Sequence, residues 1–501
     1  MTPDNQRSPD VLPLFDALIP VVATIALLIL AVALFGADAA WGPAQVVLLI
    51  GTMIAACFGL KNGHSWKSIE SGFADGIYVA IPAMLILLTI GALIGVWILA
   101  GTVPAMIYYG LELVSPSYFY ASCCLLCALV ALSIGSSWSV AGTIGLGLIG
   151  IAEGFGLSLP ITAGAIISGA YFGDKMSPLS DTTNIAPAAV GADLFEHIRH
   201  MSWTTLPSLG LALVGFVVLG LDGSAAMSTP EQIVVMREGL AAQFDLGPQL
   251  LIPVLVLLGL SVARMPALPA VFIGATLGVI FALVFQPHAV LTLIGADAAS
   301  TTDLVKGVWT ALFDGYVSHS GNDNIDVLLT KGGMSSMLTT LWLVISAMAF
   351  GGVIERLGML QRLVAALVAG ANSAGSLIIR CVLTCFASNL VTGDQYLSVT
   401  LPGRMYRAEF QRRGLKPVNL SRATEDGGTI TSPLIPWNSC GAYMAATLGV
   451  ATLSYLPFAF FNLINVALAI GYAMFGIRIT RIEEDETAST PAVQPSEGEA
   501  R

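Results

Sequence analysis

Between two apolar flanks the chain reads AYFGDKMSPLSDTTNIAP, residues 170–187. Two carboxylates, Asp174 and Asp181, stand here with Lys175 and a run of oxygen-bearing side chains: Ser177, Ser180, Thr182, Thr183 and Asn184. Such surroundings suit a hard cation, which prefers oxygen ligands. A charged carboxylate at membrane depth costs roughly 3 kcal/mol or more on insertion scales, so each aspartate should hold a proton or a cation. Where both compete for one carboxylate, binding one expels the other, and proton/cation exchange follows. Lys175 compensates one of the aspartates or snorkels to an interface. The alternative is a structural ion-pair cluster that ties helices together.

Pro178 removes a backbone donor and disfavours helix at Ser177, and Gly173 weakens the turn before it. The helix should unwind around 174–181, freeing carbonyls and leaving half-helix ends whose partial charges favour bound ions. A second polar stretch, SRATEDGGTITSPLIPWNSCGAYMA (421–445), offers Thr429, Thr431, Ser432 and Asn438 around Pro433 and Pro436. Glu425 and Asp426 stand at its start, either as site carboxylates or as ordinary acids at a helix N-terminus. No acid aligns with Asp181, so the two stretches need not bind the same thing.

The elements that must hold these groups are membrane helices. The 501 residues are 55% hydrophobic and 11% charged, with a mean hydropathy of +0.81; soluble domains carry about a quarter charged residues. Apolar runs predict spans near 14–36, 44–60, 78–100, 202–222, 249–263, 266–285, 337–354 and 452–475. Interrupted spans fall near 160–190 and 424–446. Stretches 118–150 and 376–402 are broken by SIGSSWS and VTGDQYLS. They read as re-entrant hairpins, whose irregular backbone survives only when buried in protein or lining a cavity. Their tips pair Gly135 with Gly393, residues that permit close approach, and put Asp394 where the first half has Ser136.

Six basic residues against one acid in 403–422 place that segment in the cytoplasm, with Lys61, Lys67, Arg199, Arg264, Arg356, Arg362, Arg478 and Arg481 on the same side. Acid-leaning segments near Glu153, 231–245 and 297–326 fall outside. Both termini are then cytoplasmic, with about ten crossings. Echoes about 255 residues apart point to a duplication: GHS at Gly63 with SHS at Ser318, Gly95 and Gly101 with Gly352 and Gly358, and SPL at Ser177 with SPL at Ser432. Five crossings per half, an odd number, insert the second half upside down, the inverted repeat of secondary transporters.

The predicted fold is therefore an all-α polytopic membrane protein of two inverted repeats. Each has about five transmembrane helices, a re-entrant hairpin and a broken helix. The segments are 1–13 cytoplasmic, 14–222 first repeat, 223–248 external linker, 249–477 second repeat and 478–501 a disordered acidic cytoplasmic tail.

Other features read as background. The seven cysteines lie in apolar stretches as small core residues. SGNDNID (320–326) is a solvated external face, and His197 and His200 lie on an interfacial helix face. GSSWS (135–139) misses the nucleophile-elbow pattern, no nucleophile or metal motif supports an enzyme, no basic patch suggests nucleic acid, and no cofactor is expected.

At GDKMSPLSDTTNIAP, EDGGTITSPLIPWNSCGAYMA, GVIERLG and TGDQYLSVTLPGRMY the sequence resembles the NhaC family of bacterial sodium/proton antiporters. The resemblance spans Lys61 to the final helix. It implies Na⁺ exchanged for H⁺ across the bacterial cytoplasmic membrane, with Asp174, Ser177, Asp181, Thr182 and Asn184 as favoured site residues. Asp174 and Asp181 then hold Na⁺ or the coupling proton; Lys175, Gly135, Ser136, Asp394, Thr431, Ser432 and Asn438 line the site, and Glu425 and Asp426 stand close by. The family also contains exchangers of organic acids such as malate and lactate, so a small organic solute is the alternative. A homodimer is expected.

Overall fold

The computed structural model describes residues 12–221, 230–296 and 300–482. Its first half comprises α1 (Leu14–Phe35), α2 (Pro43–Lys61), α3 (Trp66–Leu99), α4 (Thr102–Leu113), α5 (Phe119–Ile134), α6 (Ser137–Val140), α7 (Leu146–Gly154), α8 (Leu159–Met176), α9 (Asp181–Val190) and α10 (Leu194–Leu221). A π-turn, Ala141–Gly145, joins α6 to α7. The helix α11 (Pro230–Gln243) leads into α12 (Ile252–Val262), α13 (Ala267–Phe285), α14 (Pro287–Leu293), α15 (Thr301–Phe313), α16 (Asp323–Leu329), α17 (Leu338–Arg356) and α18 (Met359–Ala369). Then come α19 (Ala374–Thr392), α20 (Gln395–Arg412), α21 (Pro417–Thr424), α22 (Ser439–Leu448), α23 (Thr452–Tyr455) and α24 (Phe460–Phe475).

Among the described residues, eight helices are long and apolar enough to cross a membrane, and up to ten if each bent pair is one span. The third expected span begins earlier than its apolar run: α3 has 34 residues, about 50 Å at 1.5 Å per residue. It therefore projects past a hydrocarbon core of about 30 Å. The hairpin arms Pro116–Ile134 and Ala374–Thr392 are each long enough to cross alone. Phe15, Ile29, Leu34, Val214, Val218, Phe272 and Val284 point outward, a belt that suits lipid. This is a multi-pass membrane protein.

The helices pack in two groups. One gathers α1, α2, α13, α15 and α17 around α3; the other joins α5, α8, α9, α10, α19, α20, α21 and α24. Small residues bring backbones together, the usual membrane-helix device. A methyl group on Gly76 would stand 3.0 Å from Gly352 Cα, fixing α3 against α17. Cys123, Cys124 and Cys127 are buried on α5, which packs on α8. All seven cysteines are free and six are buried, as expected of small core residues.

The halves repeat one set of helix ends. Caps at Ser158, Ser180 and Gly191 recur 258 positions later at Lys416, Asn438 and Gly449. Gly135 and Gly393, also 258 apart, both turn the hairpins in the left-handed region. This spacing corrects the SPL echo: Ser432 stands opposite Asp174, and Ile435 opposite Ser177.

Charges separate by end. Lys61 pairs with Asp16 (2.8 Å), Arg356 lies 3.8 Å from Asp75, and Arg362 donates to the Leu12 carbonyl (2.9 Å). At the other end of α17, Lys331 pairs with Glu153 (2.9 Å), and Arg237 with Glu112 (2.8 Å). Asp326 is not merely a solvated acid. It accepts the Ser320 N–H (2.6 Å) and the Ser318 hydroxyl (2.8 Å), and the former above all holds its carboxyl below the usual range. Of the expected tail, residues 480–482 pair with 414–416; 483–501 lie outside the described residues, as do 1–11 of the N-terminal segment and 222–229 of the linker.

Candidate functional site

The first break is shorter than expected. Asp174 still belongs to the last turn of α8 and Asp181 opens α9, so only 177–180 leave the helix. Ser180 caps α9 by accepting the Thr183 N–H. Thr183 in turn donates its hydroxyl to the carbonyls of Asp174 (3.2 Å) and Lys175 (3.0 Å). These carbonyls, expected to be free for a cation, are therefore engaged by a side chain. Asn184 donates to the carbonyls of Pro178 (2.9 Å) and Ser180 (2.7 Å), clamping the turn. Ser177 accepts the Leu179 N–H (3.2 Å), and Thr182 bonds to Ser180 (3.1 Å).

The first hairpin tip reaches this break. Asp174 Oδ2 accepts both the Ser137 N–H (3.1 Å) and the Ser137 hydroxyl (2.6 Å). Two donors from one residue fix a carboxylate that is 6% exposed. Gly135, at φ +76°, makes the approach possible, because a Cβ there would meet the Leu179 carbonyl carbon at 2.6 Å and Ser180 N at 2.7 Å. Ser136 caps α6 through the Ser139 N–H (3.2 Å). Asp181 is exposed beside this junction.

The second hairpin meets the second break in the same way. The Gly393 carbonyl accepts the Ser439 N–H (2.8 Å), and Asp394 caps α20 through the Leu397 N–H (2.8 Å). Gln395 Oε1 accepts from Ser432 Oγ (2.6 Å) and from Cys440 Sγ (3.0 Å). Asn389 donates to Thr431 Oγ1 (2.9 Å), which donates to the Gly427 carbonyl (2.5 Å). Asn438 bonds to Asn389 (3.0 Å) while capping α22 through the Cys440 N–H (3.0 Å). Thr431, Ser432 and Asn438 thus already bond to protein groups.

Between the breaks lies a buried ionic cluster. Lys175, wholly buried, pairs with Asp426 and donates to Asn465 Oδ1 (3.2 Å). Asp426 Oδ1 also accepts from Asn465 Nδ2 (2.8 Å) and Thr204 Oγ1 (3.4 Å). Lys175 is therefore a partner across the halves rather than a snorkelling residue. Glu425 and Asp426 are not acids of a helix N-terminus: α21 starts at Pro417, and they sit in the π-turn Glu425–Thr429 that continues it, both 0% exposed. His197 and His200 are likewise buried, not interfacial, because their face of α10 packs against the second half.

The model of the Na⁺/H⁺ antiporter family matches residues 169–477. The chain belongs to this family. It is 39% identical to an uncharacterized Na⁺/H⁺ antiporter of Haemophilus influenzae over 96% of this chain and all of that one. It is also 39% identical to the Na⁺/H⁺ antiporter NhaC of Alkalihalophilus pseudofirmus, covering 87% of this chain and 91% of the relative. A malate-2H⁺/Na⁺-lactate antiporter of Bacillus subtilis is 35% identical over 87% of this chain and 90% of its own length.

In this antiporter-family chain the matched region contains both breaks but starts beyond the first hairpin tip. Thr183, expected as an oxygen donor, instead holds the break together, and Ser137, Asn389, Gln395 and Asn465, which also hold the site together, were missed as site residues. A signal existed for two of them: Ser137 lies in the quoted tip SIGSSWS, and Asn465 interrupts the apolar run FFNLINVALAI.

Proposed function

We propose that the protein exchanges Na⁺ for H⁺ across the bacterial cytoplasmic membrane by alternating access, with Asp174 as the carboxylate that holds either ion. The contact between Asp174 and Ser137 carries this reading. A buried carboxylate at a helix break, oriented by a hairpin tip, is positioned to trade a proton for a cation while the Ser137 donors steady its charged form. Exposed Asp181 lines the approach, with Thr182 and Ser136 as further oxygen donors. Asp394, Thr431, Ser432 and Asn438 form the opposing wall. The family relatives support the choice of ions.

In this reading the halves are inverted, each with a re-entrant hairpin; both termini face the cytoplasm, the segment after α10 is external, and two copies associate. The group around α3 is the fixed frame against which the broken helices move. No enzymatic step is involved. The test is a Na⁺ pulse on proteoliposomes loaded with a pH dye. Protons released with no other solute present support the exchange; no release at any pH removes it.

One observation favours a second reading, an organic acid moved with Na⁺ or H⁺. A cavity of about 360 Å³, within the range of small-molecule sites, is lined by Thr330, Lys331, Ser336, Thr339 and Thr447. The hydroxyls, and the Lys331 ammonium once released from Glu153 (2.9 Å), suit a carboxylate, in keeping with the malate/lactate relative. Proton movement that appears only when malate or lactate is added selects this reading over the first.

A further inference from the structure

The ionic cluster contains one carboxyl group that nothing in the fold neutralises. Lys175 and Asp426 cancel each other and share Asn465, while Thr204 donates to Asp426 alone. Glu425, the preceding residue, is wholly buried, with no cation in hydrogen-bond contact among the described residues; the Thr429 hydroxyl is the polar group beside its carboxyl. Oδ2 of Asp426 has no hydrogen-bond partner among the described residues. An ionised carboxylate without a partner in such a place carries a desolvation cost of several kcal/mol. The group relieves this by keeping its proton.

The surroundings offer Glu425 no cation of its own. The charges acting on it are Lys175, Asp174 and Asp426, and Cys385 of α19 faces it, with Cys381 beside that thiol. Arg422 of α21 acts on Asp426, and one of its nitrogens donates to the Arg478 carbonyl. His197 of α10 faces Lys175, α20 contributes Tyr406 beside Cys385, and α24 contributes the neutral Asn465. Lys175 is thus the cation that could serve either Asp426 or Glu425, and it adjoins Asp174 in the chain.

We infer that Glu425 is a second proton-binding group of the transport cycle, chemically separate from Asp174: it holds a proton in this conformation and releases it to water when the second break opens and Lys175 turns toward it. The proton leaves Glu425 Oε, and the resulting carboxylate shares the Lys175 ammonium with Asp426. When the proton returns, Lys175 returns to Asp426. Each cycle then moves one proton on Glu425 besides the one that Na⁺ displaces from Asp174. The π-turn carries both acids, with Asp426 set against Lys175 of α8.

This inference rests on the Na⁺/H⁺ reading, and the experiment separates the two. In proteoliposomes the H⁺:Na⁺ ratio is read from the pH gradient that just balances an imposed Na⁺ gradient at known voltage. Wild type is expected to move more than one proton per Na⁺, and E425Q, which keeps the shape and stays neutral, one fewer. An unchanged ratio in E425Q overturns the inference, as does a wild-type ratio of one, a result that needs no variant to fold. E425D retains a carboxyl and is expected to keep the wild-type ratio; a ratio reduced as in E425Q also overturns it. Wild type without any Na⁺-driven proton movement removes the Na⁺/H⁺ reading itself.

Discussion

In the first half the hairpin tip donates to the broken helix: Ser137 gives its N–H and hydroxyl to the carboxylate of Asp174. In the second half, at positions 258 later, the broken helix donates to the tip: Ser432 gives its hydroxyl to the Gln395 amide oxygen. The caps, the left-handed glycines and the contact itself recur, but the charge does not. The second half carries this pair of acids six and seven residues before Ser432, about two helical turns, at Asp426 and Glu425, where Lys175 from the first half meets Asp426. Backbone geometry and ionic chemistry are therefore separable here. A frame repeated twice holds one junction whose contact is made to a carboxylate and one whose contact joins neutral groups, with Asp394 beside it as the cap of α20.

The largest effect should follow from removing the first junction's carboxylate. In Asp174→Asn the ionic contact is lost, and at about 3 kcal/mol this is roughly a hundredfold in cation affinity; Na⁺-driven proton release should vanish with expression intact. Ser432→Ala removes a neutral hydrogen bond worth about 1 kcal/mol, so exchange should persist. Equal losses in the two variants, measured by dye-loaded vesicles, break the comparison.

Next come the two tip glycines. Both have positive φ, which costs a side chain about 1–2 kcal/mol. They differ in what a Cβ would strike. At Gly135 it meets backbone of 179–180 at 2.6 and 2.7 Å, whereas at Gly393 the nearest atoms are the Ala347 methyl at 3.2 Å and the Trp437 carbonyl oxygen at 3.3 Å. Gly135→Ala should lower the Tm of the detergent-purified protein more than Gly393→Ala. Equal shifts mean the first tip does not press on its break as described.

Much of this arrangement was readable from residues alone, and the reasons differ by element. Apolar runs locate spans because lipid imposes length and polarity directly, and Pro178 and Pro436 locate both breaks. Polar traffic within the breaks was less readable. Thr183 satisfies carbonyls that sequence logic left free, because a hydroxyl's acceptor depends on which turn faces it. Glu425 and Asp426 looked like acids of a helix start because sequence does not show that α21 begins eight residues earlier, at Pro417, and continues through a π-turn. The burial of His197 depended on a neighbour more than two hundred residues away.

A smaller effect tests the direction of the tip contacts. Ser137→Ala removes a hydroxyl bond to a charged group, worth about 1.5–3 kcal/mol. It destabilises the Asp174 carboxylate relative to its acid, so protons compete better. The Na⁺ concentration for half-maximal exchange should rise about tenfold or more by the same arithmetic. Gln395→Leu disturbs only neutral groups and should shift it by less. A Gln395→Leu shift as large as that of Ser137→Ala would give the second tip ionic weight.

The smallest effect isolates Asp394, the acid beside the second junction's neutral contact. Its carboxylate caps α20 as Ser136 caps α6. Asparagine caps about as well as aspartate, while alanine costs about 1 kcal/mol. Asp394→Asn should therefore leave both Tm and exchange near wild type. Asp394→Ala and Ser136→Ala should each lower stability slightly and leave transport in place. The informative outcome is Asp394→Asn with unchanged Tm and no Na⁺-driven proton release. The charge rather than the cap would then matter, the second tip would bind an ion as the first does, and the asymmetry drawn between the two junctions would collapse.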